Sequence, residues 1–388
     1  MVVLSNGLRC LSICALVLAC QRGSLFAAVR IKDRDRQQIL IHITDPQLGM
    51  LNMYKKPEDW KAEETMLSKL AAKAASFKPN LVFVGGDMQN WWPNEEARQA
   101  KGLSDRNRLK GMGDKEFQQL KDKGLGRMQR DSVQKSLEVL VNAKIPVYYT
   151  AGNHDVGDYP DARTLEQYSS SDSKNPGWGP LFQKVEEDGI LYLQFNSQIY
   201  WSNEASLDEY RSKQLDFLEG EMSRIQALQS IKRLVLLTHI PPFMDSVDEQ
   251  EGWANWKEAY RKQILDVLAG PNIPMLWVCG HFHANVEKDS DYQGVPLSIR
   301  VSSAAGTTMQ WDGKDELSPK EAQEVASKEI LKAFAEDIGF TRIGERLKAE
   351  SDRSGLRIFK MLGDSGSFED QWFTLDQLQE EASSWLAS

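Results

Sequence analysis

The sequence predicts a layered α/β fold, and three of its features support this class. Short apolar runs alternate with amphipathic helical patterns along most of the chain, as in folds where helices cover a sheet. Several of these runs are continuously apolar, which is typical of strands that are buried on both faces. With 388 residues, of which 41% are hydrophobic and 27% charged, the chain has enough apolar sequence to bury a large core.

Seven runs are predicted to be strands, each bounded by Gly, Pro, Asn or Asp. Their lengths suit strands and are too short for most helices. In chain order they cover residues 39–44, 81–86, 147–152, 190–195, 233–239, 275–280 and 296–303.

Helical patterns lie between and after these strands. One helix is predicted to begin near Ser206, because Ser206 and Glu209 have the spacing of a capping box. A second covers about residues 253–268. Two more are predicted to begin at Ser318, which precedes a proline, and at Thr374.

We interpret residues 37–380 as one domain that carries two insertions. Residues 94–130 are polar, punctuated by glycine and rich in Lys and Arg, whereas residues 312–353 are charged and mostly helical in pattern. The positive charges of the first insertion are typical of a solvated helical face, and attraction of phosphorylated substrates is the alternative interpretation.

The N-terminus has the pattern of a targeting segment. Arg9 precedes an uncharged apolar run at residues 10–20, and small residues follow up to Ala28. This pattern predicts a signal peptide over residues 1–28 that is cleaved in the secretory pathway. Acylation of Cys20, an uncleaved signal anchor and a cytoplasmic location remain alternatives. The run is too short to span a bilayer comfortably, so we expect no transmembrane helix in the mature chain.

Charge and composition exclude several classes of function. A formal net charge of -9 argues against sequence-independent nucleic-acid binding, which requires a basic face. The chain contains no P-loop and no dinucleotide-binding fingerprint. Three of its four cysteines lie within residues 10–20, and Cys279 lies inside a predicted strand. We therefore expect no disulfide framework, and Cys279 is interpreted as a small buried side chain.

Chemically active side chains follow five of the predicted strands. The carboxyl ends of strands in an open α/β layer are where ligands bind, and imidazole and carboxylate groups are common metal ligands. A single Asp at such a position is more often a turn residue, but the ordered series predicts a metal site. Its members are Asp45, Asp87, Asn153, His154, Asp155, His239, His281 and His283. His42 lies within the first strand and is interpreted as a core or supporting histidine.

The motifs DPQLG, GGDMQN, GNHD, THIPPF and GHFH, in this order, resemble those of the calcineurin-like metallophosphoesterase superfamily. Within it, the chain is most similar to the calcineurin-like phosphoesterase domain-containing protein 1 type. The stretches FNSQIY, GHFHAN, SSAAG and SGLRIFKM support this similarity, which covers about residues 39–378. The resemblance implies a metallophosphoesterase fold, with a two-sheet β-sandwich core flanked by helices.

The resemblance also implies a role for each motif residue. Asp87 would bridge two metal ions and take part in catalysis with His154, which would lie near the leaving oxygen as proton donor or charge stabiliser. Six further residues would be metal ligands: Asp45, Gln47 and His283 at the first ion, and Asn153, His239 and His281 at the second. Asn90 and Asp155 would support these groups or contact the substrate.

Two positions depart from the general pattern of the superfamily. Gln47 stands where a histidine ligand is usual, and an amide oxygen favours harder ions than imidazole does. Asn90 stands where an aspartate usually orients the motif histidine. A neutral amide stabilises a positive imidazole less than a carboxylate would, so Asn90 supports an acid role of His154 less than the usual aspartate does.

The implied function is a dinuclear metal-dependent phosphoesterase that hydrolyses phosphomonoesters by a metal-bound hydroxide. The type it resembles implies a serine/threonine protein phosphatase. The alternatives are a secreted or surface phosphatase or phosphodiesterase for small phosphate esters, and a weakly active phosphate-binding protein. The ligands are oxygen and nitrogen only, which admits iron, manganese, zinc or magnesium.

Overall fold

Two β-sheets form the centre of the molecule. The computed structural model describes residues 37–50, 60–90, 125–157, 160–171, 177–252, 255–306, 308–309, 347–348, 354–362 and 365–388, all within one compact unit. The predicted signal peptide at 1–28 lies outside the described residues. So do most of the predicted insertion at 94–130 and all but two residues of the one at 312–353.

The first sheet contains five strands: β1 (Gln38–Ile43), β2 (Leu81–Val84), β3 (Val147–Tyr149), β12 (Gly355–Leu362) and β13 (Ser367–Thr374). Their order is β13-β12-β1-β2-β3. Strands β1, β2 and β3 are parallel, whereas β12 runs antiparallel to both β1 and β13. The segments that follow β1, β2 and β3 therefore begin at the same edge of this sheet.

The second sheet contains six strands: β4 (Gln183–Glu187), β5 (Ile190–Gln194), β6 (Arg233–Leu237), β7 (Met275–Cys279), β8 (Val286–Tyr292) and β9 (Val295–Val301). Their order is β4-β5-β6-β7-β9-β8, with antiparallel strands at both edges and four parallel strands between them. A short two-stranded sheet pairs β10 (Thr308–Met309) with β11 (Leu347–Lys348).

The helices described are α1 (Lys61–Ser76), α2 (Leu125–Asn142), α3 (Asn153–Val156), α4 (Ala162–Tyr168), α5 (Gln198–Trp201), α6 (Asp208–Leu228), α7 (Glu258–Ala269) and α8 (Glu381–Ala387). A 3-10 turn, Ala205–Leu207, precedes α6. Among the residues described, no helix combines the length and the apolar character that crossing a membrane requires.

Alternating side chains of the strands divide the core into layers. Leu40 and Phe83 of the first sheet pack in one buried cluster with Tyr192, Val235 and Leu276 of the second. Because successive strand residues point to opposite faces, the neighbours of these side chains face away from the partner sheet. They form a second cluster that includes the apolar faces of α1, α6 and α7. The predicted two-sheet α/β architecture is thus confirmed.

All seven predicted strands are present, but six of the thirteen strands described were not predicted, among them β12 and β13 of the first sheet and two charged strands of the second. The sequences of β4 and β8 are QKVEE and VEKDSDY, and both strands lie at edges of the second sheet. Edge strands are commonly charged because such residues discourage pairing with other chains. A hydrophobic run is therefore a poor guide to them.

One predicted helix cap is wrong, and two predicted helices begin later than expected. The helix expected over about residues 253–268 begins at Glu258. Helix α6 begins at Asp208, where no side-chain cap is formed, so Ser206 and Glu209 make no capping box. Ser206 instead lies within the 3-10 turn. The helix expected from Thr374 begins at Glu381, because the Gln377 side chain accepts from Thr374 and the chain turns there first.

Candidate metal centre

The loops after β1, β2, β6 and β7 bring the predicted ligands together between the two sheets. Asp87, His239 and His281 each offer a buried ligand atom, and these atoms lie within 4.8 Å of one another. Asp87 comes from the first sheet, whereas the two histidines come from the second. The centre therefore exists only when both sheets have formed and packed.

His239 is oriented so that Nε2 faces this cluster. Its Nδ1 donates to the carbonyl oxygen of Gly85 at 2.7 Å. A carbonyl can only accept, so Nδ1 carries the proton in the neutral ring and Nε2 keeps its lone pair. That Nε2 lies 3.3 Å from Asn153 Oδ1 and 3.3 Å from Asp87 Oδ2. His281 Nδ1 lies 3.1 Å from the same Asn153 oxygen.

The charges of this cluster require a positive partner. Burial by itself lowers the pKa of His239, but the carboxylates of Asp87 and Asp45 outweigh it and raise the pKa to about 9. Burial likewise opposes ionisation of Asp87, yet His239 and His154 hold its pKa well below the usual range. In the absence of a metal ion, a proton on His239 is what neutralises Asp87. A divalent cation in that place would satisfy the same carboxylate and would leave the imidazole free to act as a ligand.

A second set of donors lies beside the first. Asp45 Oδ1 is 3.5 Å from His283 Nε2, while Asp45 Oδ2 accepts from the Thr44 hydroxyl at 2.6 Å and from the His281 N–H at 3.0 Å. Asp45 Oδ1 and Gln47 Oε1 are buried, and neither makes a hydrogen bond to any residue that the structure describes. Burial raises the pKa of Asp45, and the charge of Asp87 adds to this effect. Two buried oxygens without donors fit a bound cation.

The backbone at the centre is held in an uncommon conformation. Five of the predicted site residues have positive φ angles: Asp45 (50°), Gln47 (39°), Asp87 (51°), His281 (79°) and His283 (55°). Each such residue costs roughly 1–2 kcal/mol relative to ordinary backbone. Strain of this kind persists where the surrounding structure enforces it, and it concentrates at functional sites.

Two motif glycines are explained by close approach. A Cβ atom at Gly152 would lie 2.0 Å from Asp87 Oδ1, and one at Gly280 would lie 2.3 Å from Asp45 Oδ2. Any other residue at either position would push a carboxylate out of the cluster. The glycines of GNHD and GHFH are therefore part of the geometry of the centre.

His154 lies against the cluster but is oriented by backbone groups. Its N–H donates to Asp87 Oδ1 at 2.8 Å, and its ring Nδ1 donates to the carbonyl oxygen of Asn90 at 3.1 Å. The Asn90 N–H donates in turn to Gln129 Oε1 at 3.1 Å. The main-chain carbonyl of Asn90 thus accepts the hydrogen bond from the His154 ring. In the general pattern of the superfamily, an aspartate side chain at this position would accept it.

Asp155 acts as a brace between two loops. Its Oδ1 accepts from the Met88 N–H at 3.0 Å, and its Oδ2 accepts from the Gly152 N–H at 2.9 Å. Burial and the nearby charge of Asp87 raise its pKa well above the usual value. This carboxylate ties the loop of Asp87 to the loop of Asn153 and His154.

Sequence reasoning missed Gln129. It is buried on α2, and Leu125, the first residue of that helix, lies inside the predicted insertion at 94–130. A lone glutamine on a helix carries no motif, so only the packing of α2 against the Asn90 loop reveals its contact.

His42 and Cys279 lie in the core. His42 stacks on Phe83 with 5.0 Å between ring centroids, its Nδ1 is 2.9 Å from the Ser302 hydroxyl, and burial lowers its pKa well below the usual value. Cys279 is fully buried, and burial raises the pKa of its thiol.

A family model described as calcineurin-like phosphoesterase matches residues 40–285. This range contains every strand-end loop of the candidate centre. The chain belongs to the calcineurin-like phosphoesterase family. The resemblance inferred from the ordered motifs is therefore confirmed, and Asp87, His239 and His281 of these motifs form a cluster that could hold a metal ion.

Curated relatives of this family support the predicted type. The serine/threonine-protein phosphatase CPPED1 of Homo sapiens is 29% identical over 173 residues, which are 44% of this chain and 51% of that protein. The protein of the same name from Rattus norvegicus is 25% identical over 280 residues, covering 70% of this chain and 75% of the relative. The chain thus spans about half the length of the first of these two relatives. A solved dimetal phosphatase from Danio rerio is 11% identical with a TM-score of 0.42, covering 87% of this chain and 99% of that one.

Proposed function

We propose that this chain is a dinuclear metal-dependent phosphatase that hydrolyses phosphomonoesters. The observation that carries the proposal is the buried convergence of Asp87, His239 and His281, with Asp45 Oδ1 and Gln47 Oε1 beside them as oxygens that lack hydrogen bonds within the described residues. Membership of the phosphoesterase family supports the same chemistry.

In this proposal Asp45, Gln47 and His283 hold one ion, and Asn153, His239 and His281 hold the other. Asp87 lies between the two sets, since its Oδ2 faces His239 and its charge also raises the pKa of Asp45. Two bound ions would lower the pKa of a water molecule and neutralise charge on the phosphoryl oxygens. The chain's own contribution is to hold these donors in place and to exclude bulk water through burial.

His154 is proposed to act on the leaving oxygen. Because Nδ1 donates to Asn90, Nε2 is the ring nitrogen that can exchange a proton with a substrate. The neutral ring presents a lone pair at Nε2, so His154 must be protonated to donate there. The Asn90 carbonyl orients the ring but carries no full charge, and it stabilises the protonated ring less than a carboxylate would.

The proposed substrates are proteins phosphorylated on serine or threonine. The support is the name of the curated relatives, serine/threonine-protein phosphatase. Small phosphate esters are the second candidate, because the apolar run at residues 10–20 leads us to propose a secretory location, where cytosolic phosphoproteins are absent. N-terminal sequencing of the mature protein tests that location.

The Asp87→Asn variant tests the proposed function. It keeps the shape of the side chain and removes the charge between the two ligand sets, so hydrolysis of an aryl phosphate should be abolished while the protein stays folded. Asp216→Asn, at an exposed position of α6, is the matched control. Activity that survives in Asp87→Asn would exclude the bridging role.

A comparison of turnover on phosphopeptides and on small phosphate esters decides between the two substrate classes. A tenfold preference for either class identifies it as the substrate.

A further inference from the structure

The segment Ser302–Gly306 joins the two halves of the candidate centre. It follows β9 at the edge where the ligand loops begin. Its Ala305 and Gly306 N–H groups donate to the carbonyl oxygens of Thr44 and Asp45, at 2.8 and 3.4 Å. The Ser303 hydroxyl donates to the carbonyl oxygen of His283 at 2.9 Å. One short segment therefore contacts the Asp45 loop of the first sheet and the His283 loop of the second.

The fit of this segment against the Asp45 loop is tight. A Cβ atom at Gly306 would lie 2.1 Å from the carbonyl oxygen of Pro46, so only glycine allows this approach. The carbonyl oxygen of Gly306 also accepts from the Ser354 hydroxyl at 2.7 Å. These contacts fix the Gly306 end of the segment, and the Ser302 N–H fixes the other end by donating to the carbonyl oxygen of Cys279 at 2.9 Å.

Ser303 is held from β12, the strand of the first sheet that pairs with β1. Its N–H donates to Asn285 Oδ1 at 3.1 Å, and Arg357 Nη2 donates to that same oxygen at 3.2 Å. The other end of the Arg357 guanidinium is anchored by Glu287, at 2.7 Å, and by Asp370. Arg357 lies on β12, so a chain of hydrogen bonds runs from this strand through Asn285 and Ser303 to the backbone of His283.

The chain is buried throughout. Ser303, Asn285 and Arg357 are 2%, 3% and 1% exposed. Removing one partner of a buried hydrogen bond leaves the other partner without water to replace it. Loss of any hydrogen bond in this chain should therefore destabilise the folded protein. None of these three residues belongs to the proposed ligand set, and nothing in the proposed hydrolysis uses them.

We propose that Ser303 is a positioning residue for the metal ion held by Asp45, Gln47 and His283, with Asn285 and Arg357 fixing Ser303 in place. The proposal rests on the metal assignment of the proposed function. His283 has a positive φ of 55°, a conformation that requires external support, and the Ser303 hydroxyl supplies it at the carbonyl of that residue. Gln47 is a weaker donor than imidazole, so this ion depends more on the exact placement of Asp45 and His283.

The effect should be confined to one of the two ions. Ser303 makes no contact with the side chains of His239 or Asn153 among the hydrogen bonds of the described residues, and those side chains are oriented instead by Gly85 and by each other. Outer hydrogen-bond partners of metal ligands typically contribute ten- to a hundredfold to metal affinity. Loss of the Ser303 hydroxyl should therefore lower the affinity for one ion by about this factor and leave the affinity for the other unchanged.

The test is metal binding to the full chain, measured by titration calorimetry with Mn²⁺ after chelation. Ser303→Ala should bind one ion as tightly as the wild type and the other about ten- to a hundredfold more weakly. Ser290→Ala is the matched control, because the Ser290 hydroxyl also lies near a backbone carbonyl, that of Leu297 at 3.5 Å, but on β8 away from the centre. It should bind both ions normally.

Asn285→Ala provides a second route, since it removes the support of Ser303 and leaves the hydroxyl present. If the two residues act through one chain, the double variant should lose little more affinity than either single variant. A cooperative thermal unfolding transition in the absence of metal would verify that each variant is folded. Wild-type affinity at both sites in Ser303→Ala and Asn285→Ala would overturn this proposal while the proposed function stands. A wild-type chain that binds no Mn²⁺, Zn²⁺, Fe²⁺ or Mg²⁺ would overturn the metal assignment itself.

Discussion

His239 donates a hydrogen bond from Nδ1 to the carbonyl oxygen of Gly85 at 2.7 Å. The two residues come from different sheets, since Gly85 follows β2 and His239 follows β6. The same loop after β2 carries Asp87, which lies 3.3 Å from the opposite nitrogen of the ring. One loop of the first sheet thus selects the tautomer of a histidine from the second sheet and supplies the carboxylate that faces it.

This pairing predicts how the stability of the metal-free protein depends on pH. The pKa of His239 is raised from 6.5 to about 9 in the folded state. Its contribution should be fully present below about pH 6.5 and lost as the pH rises through about 9, because only the protonated ring pairs with Asp87. We expect the free energy of unfolding in the presence of a chelator to fall by a few kcal/mol across this interval.

His239→Gln isolates this effect. Urea unfolding of the two proteins between pH 6 and pH 10 should show a difference in stability that is largest at low pH and small above pH 9. Saturating the wild type with metal ions should remove the same pH dependence, because the ion replaces the proton. A difference that is constant with pH would contradict the assignment of the proton to His239.

The location of the site could be predicted from the sequence, and physical reasons explain why. Asp45 and Asp87 follow parallel strands of the first sheet, and His281 follows a parallel strand of the second. The carboxyl ends of parallel strands meet at one edge of their own sheet, and ligands bind there. Apolar runs reveal buried strands, so the positions just after them are visible without a structure. The order of the Asp, Asn and His motifs along the chain then indicates which of these side chains are metal ligands.

The supporting residues could not be predicted in this way. Gln129, Ser303 and Arg357 contact the loops of the centre through hydrogen bonds that join distant parts of the chain. Such contacts depend on which strands pair and how the two sheets pack, and neither is encoded in a local pattern. The positive φ angle of Gln47 is likewise imposed by tertiary contacts, because glutamine rarely adopts that conformation.

Gln47→His should change which metal ion the first site prefers. Gln47 Oε1 is buried and makes no hydrogen bond within the described residues, and imidazole is a softer donor than an amide oxygen. We expect Zn²⁺ to gain about tenfold in affinity relative to Mg²⁺. Competition titrations measure this ratio. Gln47→Leu, which has no donor, should bind both Zn²⁺ and Mg²⁺ more weakly at this site. An unchanged ratio in Gln47→His would show that residue 47 does not contact the ion.

Asp155→Asn should destabilise the protein without removing a metal ion. The carboxylate accepts from two N–H groups, and an asparagine can accept only one of them while its own NH₂ opposes the other, at a cost of about 1–3 kcal/mol. The melting temperature should fall by roughly 5 °C. Asp161→Asn is the control, because Asp161 caps α4 and asparagine caps equally well. Loss of a bound ion in Asp155→Asn would identify Asp155 as a ligand.

Gln129→Met should impair hydrolysis according to the leaving group. Gln129 Oε1 accepts from the N–H of Asn90, whose carbonyl orients His154. Methionine has a similar size but offers no comparable acceptor, so the Asn90 carbonyl should move and His154 should protonate the leaving oxygen less well. We expect kcat for a phosphoserine peptide, whose alkoxide must be protonated, to fall about tenfold.

Turnover of p-nitrophenyl phosphate should change much less, because its leaving group needs no proton. Gln129→Glu is the control: it keeps an acceptor and should retain activity on both substrates. If both substrates lost activity equally in Gln129→Met, Gln129 would support the fold of the site and not the orientation of His154.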